Sequence, residues 1–435
     1  MERVAIIGTG YVGLVSAACL AELGNKVICV DNDKKKLEGL KKGIIPIYEP
    51  GLDELVRKNA KAKRLIFTTS IREATEKSQI IFICVSTPPL PDGSADLTAV
   101  EDVTAEIARA MKEYKLIVGK STVPTQTHEK IKRTIKMITR DKIVFDVASN
   151  PEFLREGHAV RDTLFPDRVV VGVESSRAEK LLRQLYKPLK TKFLVTNITT
   201  AELIKYARNC FLSTKISYIN AISQICERIN ADVEKVAEGI GLDVRINPHF
   251  LKAGAGFGGN CLPKDLEAFI RLAEKKGYDF ELLKAVRKIN TDQKRILLKK
   301  MEEALWIVKN KTIAVWGLTF KPNTDDIRNS VAIEIVKMFQ QEKAKIQAYD
   351  PKGMPKAKVA LKGVTFCKTA YDALRGADAL LILTEWDEFK NINLEKVKKL
   401  LRQPVIVDGR NIFSPSAMSA QGFIYKCIGR GSDLA

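Results

Sequence analysis

The chain has 435 residues, 45% of them hydrophobic, which is enough for sizeable cores and excludes global disorder. Lys and Arg number 72 against 52 Asp and Glu, and the resulting charge of +20 fits nucleic acid, anionic small molecules or a Lys-rich solvated surface. No apolar run reaches the roughly 18–20 residues that span a bilayer, and the chain opens as Met1-Glu2-Arg3-Val4 with no cleavable leader pattern, so a cytoplasmic protein without a membrane partner is expected.

In chain order, Val4–Ile7 reads as a strand, followed by a glycine turn, a helix over Leu14–Leu23, and a strand Val27–Val30 ending at Asp31. Leu65–Thr68, Ile80–Val85, Leu116–Val118 and Ile143–Val147 continue the alternation of strand and helix. That rhythm predicts a parallel, doubly wound α/β sheet. From Ala201 to about Lys309 the β-branched runs vanish, and Leu203, Ala207, Cys210, Phe211 and Thr214 recur at helical spacing. After Lys311 the α/β rhythm resumes: Thr312–Gly317 echoes Arg3–Gly8, and Ile346–Asp350 echoes Val27–Asp31. The fold class is therefore α/β, two Rossmann-like domains (residues 1–196 and 306–435) flanking a central helical domain (197–305).

Gly8-Thr9-Gly10-Tyr11-Val12-Gly13 follows the first strand, opens a helix, and precedes a second strand ending at Asp31. In that context Gly8 permits the tight turn, Gly10 admits a pyrophosphate, and Gly13 lets helix and sheet pack closely. The helix N-terminus offers N–H groups to the phosphates. Asp31 would accept from the ribose hydroxyls and repel a 2′-phosphate, which favours NAD, while the run Lys34-Lys35-Lys36 softens that repulsion. Thr87 and Thr122 lie just past strand ends, where doubly wound sheets hold their ligands.

Eight cysteines are scattered without a C-x-x-C pair, and His128, His158 and His249 are far apart, so no metal site is expected. Seven cysteines read as buried thiols. The eighth, Cys261, stands in Gly254-Ala255-Gly256-Phe257-Gly258-Gly259-Asn260-Cys261-Leu262-Pro263-Lys264-Asp265, where glycines leave room for a bulky ligand. A nearby Lys264, or a helix starting after Pro263, favours a thiolate nucleophile. A thiol beside a hydride acceptor can convert an aldehyde through a thiohemiacetal and a thioester into an acid. Lys205 and Asn209 are one helical turn apart and share a face.

Over essentially its whole length the chain resembles the UDP-glucose/GDP-mannose dehydrogenase family of nucleotide-sugar dehydrogenases. The motifs are the glycine loop; Ser121-Thr122-Val123-Pro124; Asn150-Pro151-Glu152-Phe153-Leu154-Arg155-Glu156-Gly157; Pro166-Asp167-Arg168; Gly241-Leu242-Asp243-x-Arg245-Ile246; Phe257-Gly258-Gly259-x-Cys261; Phe320-Lys321-x-x-Thr324-Asp325-Asp326-x-Arg328; and Asp408-Gly409-Arg410-Asn411. The resemblance implies oxidation of the C6 alcohol of UDP-glucose to a carboxylate with two NAD, in a homodimer. It implies Cys261 as nucleophile, Lys205 and Asn209 as oxyanion donors, Asp265 and Thr122 as groups positioning the proton acceptor, and Glu152 as base in thioester hydrolysis. Gly8, Gly10, Tyr11, Val12, Gly13, Asp31, Lys36, Thr87, Thr122, Lys264 and Arg328 would serve the cofactor. Glu152, Phe153, Leu154, Arg155, Lys205, Asn209, Phe250, Leu251, Phe257, Gly258, Lys321 and Arg410 would meet the nucleotide sugar, with Arg245 reaching across the dimer.

Asn260 and Leu262 replace the Ser and Phe common in UDP-glucose enzymes, and Arg208-Asn209-Cys210 replaces the usual alanines. The same chemistry on GDP-mannose or a UDP-N-acetylhexosamine therefore stays open. A two-domain hydroxyacid dehydrogenase needs neither Cys261 nor the region after residue 310. A nucleic-acid-binding protein is disfavoured, because the basic tracts read as solvated helix faces and aromatics total only 7%.

Overall fold

The computed structural model describes residues 2–430, which form two compact units that divide between Arg208 and Asn209. The first is built on β1 (Arg3–Ile7), β2 (Lys26–Val30), β3 (Leu65–Thr68), β4 (Ile80–Ile83), β5 (Lys115–Gly119), β6 (Phe145–Ser149), β7 (Arg168–Gly172) and β8 (Lys192–Thr196). Their order is β3-β2-β1-β4-β5-β6-β7-β8, parallel throughout except at Ser149–Gly172, where β6 meets β7 antiparallel. Alternation along the strands feeds two cores. Val4, Ile6, Val27, Cys29, Ile80 and Phe82 enter one; Ala5, Ile7, Ile28, Val30, Ile81 and Ile83 enter the other. The first core receives α1 (Tyr11–Glu22), whose small residues Ser16, Ala17, Ala18 and Cys19 let it lie close to the sheet.

Strands β7 and β8 extend the sheet past residue 150, where the expected strands ended. Val169-Val170-Val171 carried the β-branched signal for β7, whereas β8 is a half-exposed edge with little apolar alternation. The expected strand Ile143–Val147 lies two residues later, at Phe145–Ser149.

Helix α2 (Ile198–Ile229) begins in the first unit and continues into the second. The second unit adds α3 (Leu262–Lys275), α4 (Glu281–Leu305) and a parallel sheet of β9 (Thr312–Trp316), β10 (Lys345–Tyr349), β11 (Val364–Phe366), β12 (Ala379–Ile382), β13 (Val405–Asp408) and β14 (Ile424–Cys427), in the order β11-β10-β9-β12-β13-β14. The helical segment after Asn209 and the second sheet share one core, in which Ile219, Cys226, Leu297 and Met301 meet Ile313, Val315, Leu381 and Val407. Among the described residues no helix is long and apolar enough to cross a membrane.

Candidate active site

At the C-terminal end of β1 the glycine loop takes its shape from contacts within the first unit. Gly8 has φ +100°, and a Cβ on Gly13 would stand 1.9 Å from the Gly8 carbonyl oxygen. A Cβ on Gly10, by contrast, would meet nothing within 4 Å. Side-chain-free space over Gly10 and an α1 N-terminus that no side chain caps fit an incoming diphosphate. Tyr11 and Val12 contribute first-turn backbone. The Tyr11 hydroxyl itself donates to Glu49, whose carboxylate also accepts from the N–H groups of Gly157 at 2.6 Å and Ala159 at 2.7 Å. Burial, then the Glu49 bond, pushes the Tyr11 phenol upward, so it stays neutral.

Asp31 accepts from the Thr9 N–H at 2.9 Å, the Thr9 hydroxyl at 2.6 Å and Lys36 Nζ at 2.7 Å. Burial opposes its charge, but Lys36, Thr9 and the Asp33 N–H outweigh burial and bring the carboxyl down to about 2. The folded value lies below the ordinary carboxylate, so the stability Asp31 contributes is in place above about pH 4. It is lost only as the pH falls through about 2. Asp31→Ala is expected to lower kcat/KM for NAD by about 10–100-fold, the effect of losing a charged acceptor. Lys36 remains, so the NADP/NAD ratio should rise; steady-state kinetics with both cofactors checks this, and an unchanged ratio would count against Asp31 as the selector.

The ends of β4 and β5 are tied together, with the Thr87 hydroxyl donating to the Thr122 carbonyl at 2.9 Å and the Ser121 hydroxyl to that of Val85 at 2.7 Å. After β6 the chain turns through Asn150 and Pro151 to Glu152. Lys205 Nζ donates to both the Glu152 carboxylate and its carbonyl, each at 2.7 Å, with side chains only 4% and 6% exposed. The second Glu152 oxygen accepts the Leu154 N–H at 2.8 Å. Phe153 lies under a cationic group: Arg168 is 4.3 Å, Lys205 5.7 Å and Arg208 6.0 Å from the ring centre. Arg155 forms a bidentate pair with Asp162.

In the second unit Cys261 is the N-cap of α3, with Pro263 in the first turn. That position favours negative charge. Burial pushes the thiols of Cys19, Cys84, Cys210 and Cys427 up to about 12 and keeps them neutral, while Cys261 is half-buried. One turn into α3 lies Asp265, 1% exposed, which accepts from Asn209 Nδ2 at 2.6 Å and from Lys264 Nζ at 2.8 Å. The Lys264 charge is therefore compensated by Asp265 beside the thiol.

The glycines before Cys261 have a different reason from the one expected. A Cβ on Gly258 would lie 2.3 Å from the Asn329 carbonyl oxygen, and one on Gly259 would lie 2.8 Å from the Phe320 ring. The missing side chains make room for the protein itself. The loop is clamped by Asn290, which pairs with both N–H and C=O of Phe257, by Gln293 on the Gly254 carbonyl, and by Asn220 on the Gly254 N–H. Phe257 and Leu251 are buried and Phe250 is half-buried. Arg410 Nε donates to the Leu383 carbonyl at 2.7 Å, and its Nη1 lies 3.4 Å from that of Gly256. Lys321 lies over the Phe320 ring, Arg328 forks onto Asp326, and Arg245, 85% exposed, pairs with Asp243. Among the described residues no cluster of His, Cys, Asp or Glu could hold a metal.

Residues 2–190, 199–292 and 314–415 match, respectively, the NAD binding, central and UDP binding domains of the UDP-glucose/GDP-mannose dehydrogenase family. The chain belongs to that family. It is 49% identical to a UDP-glucose 6-dehydrogenase of Bacillus subtilis over 99% of this chain and 94% of the relative. It is 43% identical to one from Rhizobium meliloti, over 98% and 99%. A UDP-glucose dehydrogenase structure from the hyperthermophilic archaeon Pyrobaculum islandicum superposes with a TM-score of 0.92 at 38% identity, covering 98% of this chain and 97% of that one.

Within the family frame, the internal echo separates into two roles. Asp350, at the place in the second sheet that Asp31 holds in the first, is 1% exposed and accepts from the N–H groups of Leu318, Thr319, Lys352 and Gly353 and from Trp386 Nε1. Asp31 likewise accepts from Thr9, Asp33 and Lys36, but it is half-buried rather than enclosed. Glu49, Asn220, Asn290 and Gln293 were not foreseen. They are ordinary polar residues whose importance comes from burial alone.

Proposed function

We propose that the protein oxidises the C6 alcohol of UDP-glucose to UDP-glucuronate through an acyl intermediate on Cys261. What carries this reading is a thiol at a helix N-cap, one turn from the buried Asp265–Asn209 pair, in a chain with the family's NAD binding and UDP binding domains. The glycine loop Gly8–Gly13 and Asp31 would hold NAD, which would supply the hydride acceptor for each oxidation. In the first, the alcohol loses its C6 hydride and its hydroxyl proton, and the developing alkoxide is stabilised by Lys205 and Asn209. Asp265 and Thr122 position the acceptor of that proton. The Cys261 sulfur then adds to the aldehyde carbon, and its proton ends on the new oxygen. Loss of the second hydride and that proton leaves a thioester, and water adds to its carbonyl with Glu152 as base. The carbon–sulfur bond breaks and the thiol returns as the carboxylate leaves.

The family resemblance assigns Phe153, Leu154, Phe250, Leu251, Phe257 and Gly258 to contacts with the nucleotide sugar, and Lys321 and Arg410 as its donors. Two NADH per UDP-glucose are expected, with UDP-galactose, UDP-GlcNAc and GDP-mannose inert. One NADH per sugar, or a faster rate on another sugar, would overturn the reading.

A homodimer belongs to the same proposal. Phe211, Tyr218 and Ile225 recur every seven residues along α2 and are each more than half exposed, an apolar stripe suited to a second copy. Arg245, in the exposed segment with Leu242 and Val244, would reach the partner's substrate. Sedimentation should give twice the chain mass of 48.5 kDa; a monomer at catalytic concentrations would remove this part. The thiols and the substrate class suit the cytoplasm.

A further inference from the structure

Lys120, just past β5, is a buried cation that the mechanism leaves unused. Its Nζ donates to Asn150 Oδ1 at 3.1 Å and lies 5.8 Å from the centre of the Phe82 ring. Among the described residues no carboxylate forms an ion pair with it. Burial, the main cause, pushes its ammonium downward, partly offset by Cys84 and Glu152. An unpaired buried ammonium disfavours folding, and an apolar side chain of the same length would be tolerated as well or better. Stability therefore does not account for this lysine.

Among the described residues, the one hydrogen-bond partner of its ammonium is the residue from which the catalytic turn departs. Asn150 is 2% exposed; its N–H donates to the Gly119 carbonyl at 2.9 Å and its Nδ2 to that of Val170 at 2.8 Å. Its Oδ1 accepts from both Lys120 and the Tyr186 hydroxyl, the latter at 2.5 Å. Asn150 thus sits between β5 and β7 where the sheet switches to antiparallel, and two residues later Glu152 presents its carboxylate and carbonyl to Lys205.

We infer that Lys120 is a positioning residue: by holding the Asn150 side chain it sets the Pro151–Glu152 turn and, through it, the geometry of the Glu152–Lys205 pair. The inference rests on the proposed roles of that pair. The contacts proposed above for nucleotide sugar and cofactor do not include Asn150, so the effect falls on the chemical steps. Lys120→Met keeps the length of the side chain and removes the donor. It should melt no lower than the native enzyme, lower kcat by about 10–100-fold, and leave KM for UDP-glucose and NAD within about twofold. Tyr186→Phe removes the other donor to the same oxygen. Combined with Lys120→Met it should lower kcat by more than the product of the single effects, because Oδ1 then has no donor.

Native kcat in Lys120→Met, a loss carried by KM, or effects that simply multiply would each overturn the inference. Glu152→Gln, measured alongside, separates the two levels. If Glu152→Gln is slow while Lys120→Met turns over normally, only the role of Lys120 fails. If Glu152→Gln turns over normally, the reading of the pair itself fails.

Discussion

Replacing Cys261 with alanine is expected to stop acid formation, lowering UDP-glucuronate production by on the order of 10³-fold or more. Without a sulfur nucleophile the aldehyde has no route to a thiohemiacetal, so the second hydride has no tetrahedral carbon to leave. The alcohol-oxidising groups are untouched in this variant, and at most one NADH per sugar should appear. The native enzyme, quenched during turnover, should show the acyl mass on the peptide containing Cys261, and the variant should not. Cys261 stands at the N-cap of α3 in a loop held by Asn220, Asn290 and Gln293, so the variant should melt close to the native temperature. Two NADH per UDP-glucose from the alanine variant would remove covalent catalysis from the account.

The same loop shows where sequence reasoning reaches and where it stops. A thiol among glycines before Pro263 stood out because its neighbours differed from those of the other cysteines; the helix expected after Pro263 begins at Leu262, with Pro263 in its first turn. The glycines suggested space for a ligand, yet Gly258 and Gly259 are small because Asn329 and Phe320 pack against them. Which atoms fill a gap depends on residues distant in sequence, and no local pattern records it. The loop at Gly8 was easier to read, since its requirements involve neighbours within one strand–turn–helix unit: Gly13 is constrained by Gly8 itself. Charged residues fall between these cases. Lys36 could be placed near Asp31 from spacing, but the burial of Lys120 depends on β4, β6 and Tyr186 converging on it. The seam between β6 and β7 that holds Asn150 was equally hidden, because a single antiparallel pair leaves no periodicity to detect.

Lys205→Met should carry the other large effect, and it separates stability from chemistry. In the native protein the Lys205 ammonium and the Glu152 carboxylate are 2.7 Å apart and almost fully buried. Removing the cation alone strands a carboxylate in a low-dielectric site, which costs about 3–5 kcal/mol. Adding Glu152→Gln to Lys205→Met removes the stranded charge, and most of the lost melting temperature should return. Activity should not. Loss of a preorganised donor to a developing oxyanion costs about 10²–10³ in kcat, and neither Met nor Gln supplies a positive charge. Lys205→Arg is no substitute, because a planar fork cannot reproduce one ammonium shared between a carboxylate and the carbonyl of the same residue. Melting curves and kcat for the single and double variants decide the matter. If the double variant regains turnover together with stability, Lys205 serves only to neutralise Glu152, and the stabilisation of the alkoxide must come from Asn209 alone.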